Sequence, residues 1–168
     1  MFKITPTPKN TYAKILCFVC LLLGAGLFIF ANLDGVSYPA IPQLLGVISF
    51  TVSIYTASVY LLRQYTFSID LNPAGDNNEL DLVIIEHKGK REITVCRIGL
   101  DEMISVREVN AQNKKQIKAQ RKKAKCYTYD TSFIAHRRIE ILCRLEDEDF
   151  SIFTTYDEHL FAALNKRI

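Results

Sequence analysis

Charge is almost absent from the first third of the chain. Residues 15–62 of the 168-residue sequence contain a single charged residue, Asp34. Two runs within this segment carry no charge at all, residues 15–31 and residues 44–62. Each has the roughly 17–25 apolar residues that a helix needs to cross the hydrocarbon core of a bilayer. This distribution argues against a protein that is soluble throughout, and it leaves residues 63–168 as one soluble domain of ordinary size.

Chemically reactive patterns are also missing. The two apolar runs contain no Asp, Glu, Lys, Arg or His, whereas pumps, transporters and voltage sensors place such groups inside the membrane. The sequence has no phosphate-binding loop, no serine-nucleophile elbow and no His-Glu-x-x-His string. Its three histidines show no metal-ligand spacing to each other or to cysteine. We therefore expect a non-enzymatic protein without cofactor or metal. The alternative is a small membrane-bound enzyme whose reactive groups come from separate strands.

The two apolar runs predict a transmembrane helical hairpin over residues 15–62. The segment between them, residues 32–43, is short and contains no Lys or Arg. The basic residues that flank the hairpin are Lys3, Lys9, Lys14 and Arg63. Because basic residues stay on the cytoplasmic side, we expect a multi-pass protein of the cell (inner or plasma) membrane with both termini in the cytoplasm. Residues 1–14 then form a cytoplasmic N-terminal tail.

A cleaved signal peptide is the other interpretation of the first run. A basic segment precedes it, as in a signal peptide. However, the run of residues 15–31 is longer than a usual signal-peptide core, and no convincing small-residue cleavage site stands before the connecting segment. The membrane-spanning interpretation is therefore favoured.

Small residues recur at helical spacing in both runs. They are Cys17, Cys20 and Gly24 in the first run and Ser49, Ser53 and Ala57 in the second. Small residues let helix backbones approach closely, and serine can hydrogen-bond between helices. The spacing predicts that the two helices pack on each other within one chain, or that they mediate a homo-oligomer.

The rest of the chain has the pattern of strands. Residues 66–71 and residues 139–145 alternate apolar and polar side chains, which indicates half-buried strands. The predicted strands cover residues 66–71, 80–86, 92–98, 103–109, 127–129, 139–145 and 150–155. After a predicted N-cap at Asp157 the period becomes helical, through Leu160, Phe161, Leu164 and Ile168. We expect an α+β protein, with seven antiparallel strands in a barrel or sandwich that a C-terminal helix caps.

This order of strands and one final helix resembles a pleckstrin-homology-like (PH-like) domain. The whole chain resembles bacterial membrane proteins in which such a domain accompanies two transmembrane helices. The resemblance is carried by the paired apolar runs, the segment 93–106 and the ending 153–164. It implies a cytoplasmic PH-like domain over residues 63–168 that serves in binding or assembly. The insert at residues 110–126 departs from a minimal domain, and the fold alone does not give a function.

The insert at residues 110–126, the basic arm, collects much of the domain's positive charge. Its basic residues are Lys114, Lys115, Lys118, Arg121, Lys122, Lys123 and Lys125. The arm contains no acidic residue, whereas the rest of residues 63–168 carries 11 basic and 17 acidic residues. Such a segment is a solvated loop or frayed helix, a contact for anionic lipid headgroups, or a contact for a protein or nucleic acid.

Chain connectivity favours lipid over nucleic acid as the partner of the basic arm. Only Arg63 and Gln64 separate the second apolar run from the first strand of the domain, so the domain is held close to the membrane. We therefore expect an interaction module that binds a protein partner or contacts anionic lipid through the arm. The alternative is a structural or regulatory subunit of a membrane protein complex, which docks a partner by an exposed strand edge.

Overall fold

The computed structural model describes the chain in five stretches, which are residues 2–34, 37–72, 79–120, 124–146 and 148–166. The chain divides into two compact units. One is the helical unit, Lys9–Arg63, and the other is the β-rich unit, which combines Met1–Pro8 with Gln64–Ile168.

The helical unit contains two antiparallel helices. Helix α1 spans Thr11–Ala31, and helix α2 spans Ala40–Thr56 and continues as a π-helical turn over Ala57–Leu61. The segments Thr11–Ala31 and Ala40–Leu61 have 21 and 22 residues and mean hydropathies of 2.5 and 1.7. Both helices are therefore long and apolar enough to cross a membrane. Pro42 lies in the first turn of α2, where a missing backbone N–H costs no helical hydrogen bond.

The β-rich unit contains eight described strands, two α-helices and a 3-10 turn at Leu100–Glu102. The strands are β1 Phe2–Ile4, β2 Arg63–Leu71, β3 Leu80–Lys88, β4 Arg91–Gly99, β5 Met103–Asn110, β6 Lys125–Tyr129, β7 Arg137–Leu145 and β8 Glu148–Thr155. The helices are α3 Lys114–Gln120 and α4 Glu158–Asn165. One sheet has the order β1-β2-β3-β4, and the other has the order β5-β7-β8-β6. The expected α+β class is confirmed at this level.

The hydrophobic core of the β-rich unit draws on both sheets and on α4. The first sheet contributes Phe67, Leu82 and Ile84, and the second contributes Ile139, Ile141 and Ile152. Helix α4 adds Leu160 and Leu164, and both side chains are fully buried. The helix begins where predicted, since the Asp157 carboxylate accepts a hydrogen bond from the Leu160 backbone N–H at 3.0 Å.

The seven predicted strands correspond to β2 through β8, and β1 is an addition. Residues 2–4 were assigned to the N-terminal tail from the sequence, but they pair antiparallel with β2. Phe2 lies opposite Ile69, and the hydroxyls of Thr5 and Thr66 are 2.8 Å apart. Three residues are too few to display a period, so this strand carries no signal of its own in the sequence.

The expectation that all strands are antiparallel is wrong for β6. This strand runs parallel to β8, with Lys125 opposite Phe150 and Tyr129 opposite Thr154. Strands joined by a tight hairpin must be antiparallel, but β6 and β8 are not consecutive in the chain. Alternation of apolar and polar residues reports which face is buried and says nothing about strand direction.

Candidate functional site

Part of the basic arm forms a helix whose start is fixed by two asparagines. The Asn110 side-chain oxygen accepts hydrogen bonds from the backbone N–H groups of Gln112 and Asn113, both at 3.0 Å. In return, the Asn113 side-chain oxygen accepts from the Asn110 backbone N–H at 2.8 Å. These bonds end β5 and start α3, because short amide side chains satisfy the backbone donors of a turn. The arm is therefore helical over Lys114–Gln120.

One apolar contact fixes α3 on the second sheet. Ile117 is 6% exposed and packs with Val109 of β5 and Phe153 of β8. Phe153 follows the core residue Ile152, and successive strand residues point to opposite faces, so α3 covers the face of the sheet that is turned away from the core. Among the described side chains of α3, Ile117 is the buried one, and it attaches the helix to the sheet.

The lysines of α3 are exposed on this helix. Lys114, Lys115 and Lys118 are all exposed, and among the described residues no carboxylate forms an ion pair with them. Lys125 is placed differently, at the start of β6, where its ammonium lies 2.5 Å from the Glu148 carboxylate. This hydrogen bond raises the pKa of Lys125. The remaining predicted residues, Arg121, Lys122 and Lys123, lie outside the described residues.

A cavity of about 510 Å³ opens beside α3. Its charged or titratable lining residues are Lys114, His136 and Arg138. Its apolar lining includes Val109, Ile117 and Phe153, the contact that fixes α3. No Asp or Glu of the described residues lines this cavity. Chemically, the arrangement fits an anionic group held beside an apolar surface.

A buried carboxylate positions the arginine of this cavity. The Arg138 Nε donates a hydrogen bond to Asp130 Oδ2 at 2.6 Å, and the Asp130 side chain is fully buried. Asp130 also accepts hydrogen bonds from the Ser132 backbone N–H and from the Thr155 hydroxyl, both at 2.7 Å. The carboxylate thus fixes the guanidinium through Nε, beside the cavity that Arg138 lines. His136 and Arg138 were missed in the sequence, because the fold brings them to α3 from another segment.

The helical unit brings together three of the six small residues singled out in the sequence. The Ser53 hydroxyl donates to the Cys17 carbonyl at 2.9 Å, and the Cys17 Sγ lies 3.2 Å from the Ser53 Oγ. A Cβ on Gly24 would lie 3.2 Å from the Gly46 carbonyl oxygen, so the two backbones are in close contact there. The other three small residues predicted from the sequence are half-buried. They are Cys20, Ser49 and Ala57. Gly46 was missed, although it stands one heptad before Ser53.

In comparisons with protein-family models, curated proteins and solved structures, nothing matches this chain. The fold therefore defines only a class: a mixed α+β protein in which two helices able to span a membrane accompany a β-rich unit. The described residues contain no group of three or more His, Cys, Asp or Glu arranged to hold a metal ion.

Proposed function

We propose that this chain is a non-enzymatic, membrane-anchored interaction module whose β-rich unit contacts anionic lipid headgroups through α3 and the cavity beside it. One observation carries the proposal. Three exposed lysines that have no described carboxylate partner stand on α3, next to a cavity whose described charged side chains are all cationic. Cations left without partners in an otherwise acidic domain favour an anionic surface as their partner.

We further propose that the β-rich unit is a PH-like domain. Two four-stranded sheets share one core, and a C-terminal helix contributes Leu160 and Leu164 to it. This is the order of elements that the resemblance implied. The described additions to that order are β1 before the helices and α3 within the basic arm.

The proposed lipid contact orients the domain rather than recruiting it. The π-helical turn ends at Leu61 and β2 begins at Arg63, so a single residue connects the second candidate span to the sheet. Each Lys or Arg near an anionic membrane surface contributes about 1 kcal/mol, which gives the three α3 lysines a few kcal/mol together. That is enough to hold one face of an already anchored domain against the headgroups, and salt weakens it.

The pairing of β1 with β2 supports the proposed topology and predicts where the two ends of the chain lie. Phe2–Ile4 precede the two candidate spans, yet they pair with residues 67–69 beyond them. A chain that leaves one sheet, crosses a membrane and returns to the same sheet must cross an even number of times. The two ends of the chain then lie on the same side, which the flanking basic residues make the cytoplasm. If α1 were a cleaved signal peptide, its removal would also take β1 out of the sheet in which it pairs with β2. We therefore expect cysteines introduced at Lys3 and Lys166 to resist a membrane-impermeant maleimide in intact cells.

The control for this topology is a cysteine introduced at Tyr38. Tyr38 stands between α1 and α2 and is 73% exposed. With both termini cytoplasmic, the reagent labels position 38 in intact cells and labels positions 3 and 166 only after permeabilisation. Labelling of position 3 and position 166 on opposite sides of the membrane would contradict the proposal.

Neutralising α3 is expected to abolish the lipid response of this helix. The full chain is placed in nanodiscs of phosphatidylcholine with or without phosphatidylglycerol, and amide hydrogen exchange of residues 110–120 is measured. Anionic lipid should slow exchange by at least about tenfold at low salt, because a factor of ten needs only about 1.4 kcal/mol and the three lysines together contribute more than that. The combined substitution Lys114→Gln, Lys115→Gln and Lys118→Gln should remove this difference, and so should high salt in the unchanged chain.

A matched triple variant separates a specific contact from a change in net charge. Lys88, Lys90 and Lys166 are also exposed, and Lys88→Gln, Lys90→Gln and Lys166→Gln remove the same charge elsewhere on the unit. This control should keep the slowed exchange. Equal exchange of residues 110–120 in the two kinds of nanodisc would refute the lipid contact.

A further inference from the structure

Each sheet of the β-rich unit ends in a strand that lines the same open groove. Strand β4 is the last strand of the first sheet and β6 the last of the second, so among the described strands neither has a neighbour on its outer edge. Residues of both strands line a groove of about 790 Å³, the β4–β6 groove. The Tyr129 hydroxyl donates to the Val95 carbonyl across it at 3.5 Å. Val95 has no partner on β3, because the register shifts there between the pairs Ile84–Cys96 and Ile85–Thr94, and its carbonyl faces the groove.

The bridging tyrosine keeps its proton at every physiological pH. Burial raises the pKa of Tyr129 to about 12, so its hydroxyl remains a donor to Val95. At 3.5 Å this hydrogen bond is long and weak, and a better-placed backbone N–H can replace it. The Val95 carbonyl of β4 is thus an acceptor that the Tyr129 hydroxyl satisfies poorly.

The groove has partly exposed apolar side chains beside these edges. Tyr127 of β6 is 47% exposed and stands edge-on to Phe150 at 6.3 Å between ring centroids. Leu145 is 49% exposed and Val95 is half-buried. An unpaired strand edge beside exposed apolar side chains is a template for a further strand. Backbone hydrogen bonds to such an edge supply affinity, and pockets for alternate side chains supply specificity.

The lining of the groove is rich in carboxylates. Its carboxylates are Glu79, Asp81, Asp101, Glu102, Glu146 and Glu148, against two basic residues, Arg97 and Lys125. Both bases are already engaged, since Arg97 lies 3.2 Å from Asp81 and Lys125 lies 2.5 Å from Glu148. Four carboxylates therefore face the groove without a cation from the described residues. This charge repels an anionic headgroup and suits a basic ligand.

We propose that the β4–β6 groove binds an extended, lysine- or arginine-containing segment of a partner protein, which adds as a strand along the edge of β4. The chain's own basic arm is a poor occupant, because Ile117 fixes α3 on the outer face of the second sheet and Lys125 is bound to Glu148. The basic ligand of the groove and the anionic ligand of α3 use two different surfaces. The protein then has one surface for lipid and another for a protein partner.

The test uses the full chain in phosphatidylcholine nanodiscs, without anionic lipid. The probe is a fluorescent peptide of alternating lysine and valine, compared with a glutamate–valine peptide and with the lysine–valine peptide N-methylated at alternate residues. We expect the lysine–valine peptide to bind at least tenfold more tightly than either of the other two. N-methylation removes backbone donors and so reports strand addition directly. Bound peptide should slow amide exchange in β4, at Arg91–Gly99.

Charge reversal in the groove lining tests the position of the site. Glu79 and Asp101 are exposed lining residues, and the combined substitution Glu79→Lys and Asp101→Lys should weaken binding of the lysine–valine peptide at least tenfold. Glu158→Lys, an exposed position outside the groove lining, should leave binding unchanged. The proposal is overturned if the lysine–valine peptide does not bind, if this charge reversal has no effect, or if protection falls outside β4.

Discussion

Replacing Leu160 with alanine is expected to lower the free energy of unfolding of the β-rich unit by about 2–5 kcal/mol. Leu160 is fully buried in the core shared by both sheets. Truncation removes its transfer free energy and leaves a cavity that close-packed neighbours fill only in part. Helix α4 has eight residues, too few for an isolated helix to be stable in water. The helix depends on this packing, so the same substitution should also detach it.

The measurement is amide hydrogen exchange of the full chain in detergent micelles, compared between α4 and the core strands β3 and β7. Leu160→Ala should speed exchange in both, with the larger change in α4. The control is Leu145→Ala, which removes the same atoms from a side chain that is 49% exposed, and it should cost less than about 0.5 kcal/mol. A change below 1 kcal/mol at Leu160 would mean that α4 does not close the core as described.

The sequence predicts elements whose signal is local. Most of strands β2 through β8, and helix α4, carry an apolar run or a period of 2 or 3.6 over enough residues to be recognised. Asp157 marks the start of α4 as an N-cap should. The apolar runs likewise predict α1 and α2, because length and the lack of charge identify a candidate span without any knowledge of neighbours. These features are fixed by side chains within a few residues of each other.

Features that depend on distant residues were not predictable. Strand β1 exists only because β2 offers an edge to Phe2 and Ile4, and β6 is parallel to β8 because of strand order. The cavity beside α3 is a similar case. Lys114 was singled out from the charge of the basic arm, whereas Arg138 enters the site through a hydrogen bond to the buried Asp130. No spacing in the chain records that arrangement.

Replacing Gly24 with valine is expected to separate α1 from α2. A Cβ at this position would lie 3.1 Å from the Phe50 ring and 3.2 Å from the Gly46 carbonyl oxygen. An aromatic ring can move by a few tenths of an ångström, but the backbone carbonyl moves only with its helix. The two further methyl groups of valine add to this crowding, and overpacking a close contact costs about 1–3 kcal/mol. The helices should therefore move apart at Gly24, and the contact one heptad away at Cys17 should loosen.

The separation of α1 from α2 can be measured as a slower rate of disulfide formation between them. Cys17 Sγ and Ser53 Oγ are 3.2 Å apart, so in a Ser53→Cys background the two thiols stand close enough to be joined under mild oxidation, and mass spectrometry identifies the joined pair. Adding Gly24→Val should slow this reaction about tenfold, the ratio that 1.4 kcal/mol gives. Gly26→Val is the matched control, because a Cβ on Gly26 meets no described atom within 4 Å. If both valines slow the reaction equally, helix propensity rather than the contact of Gly24 with Gly46 controls the pairing. If neither does, α1 and α2 are not held together at this contact.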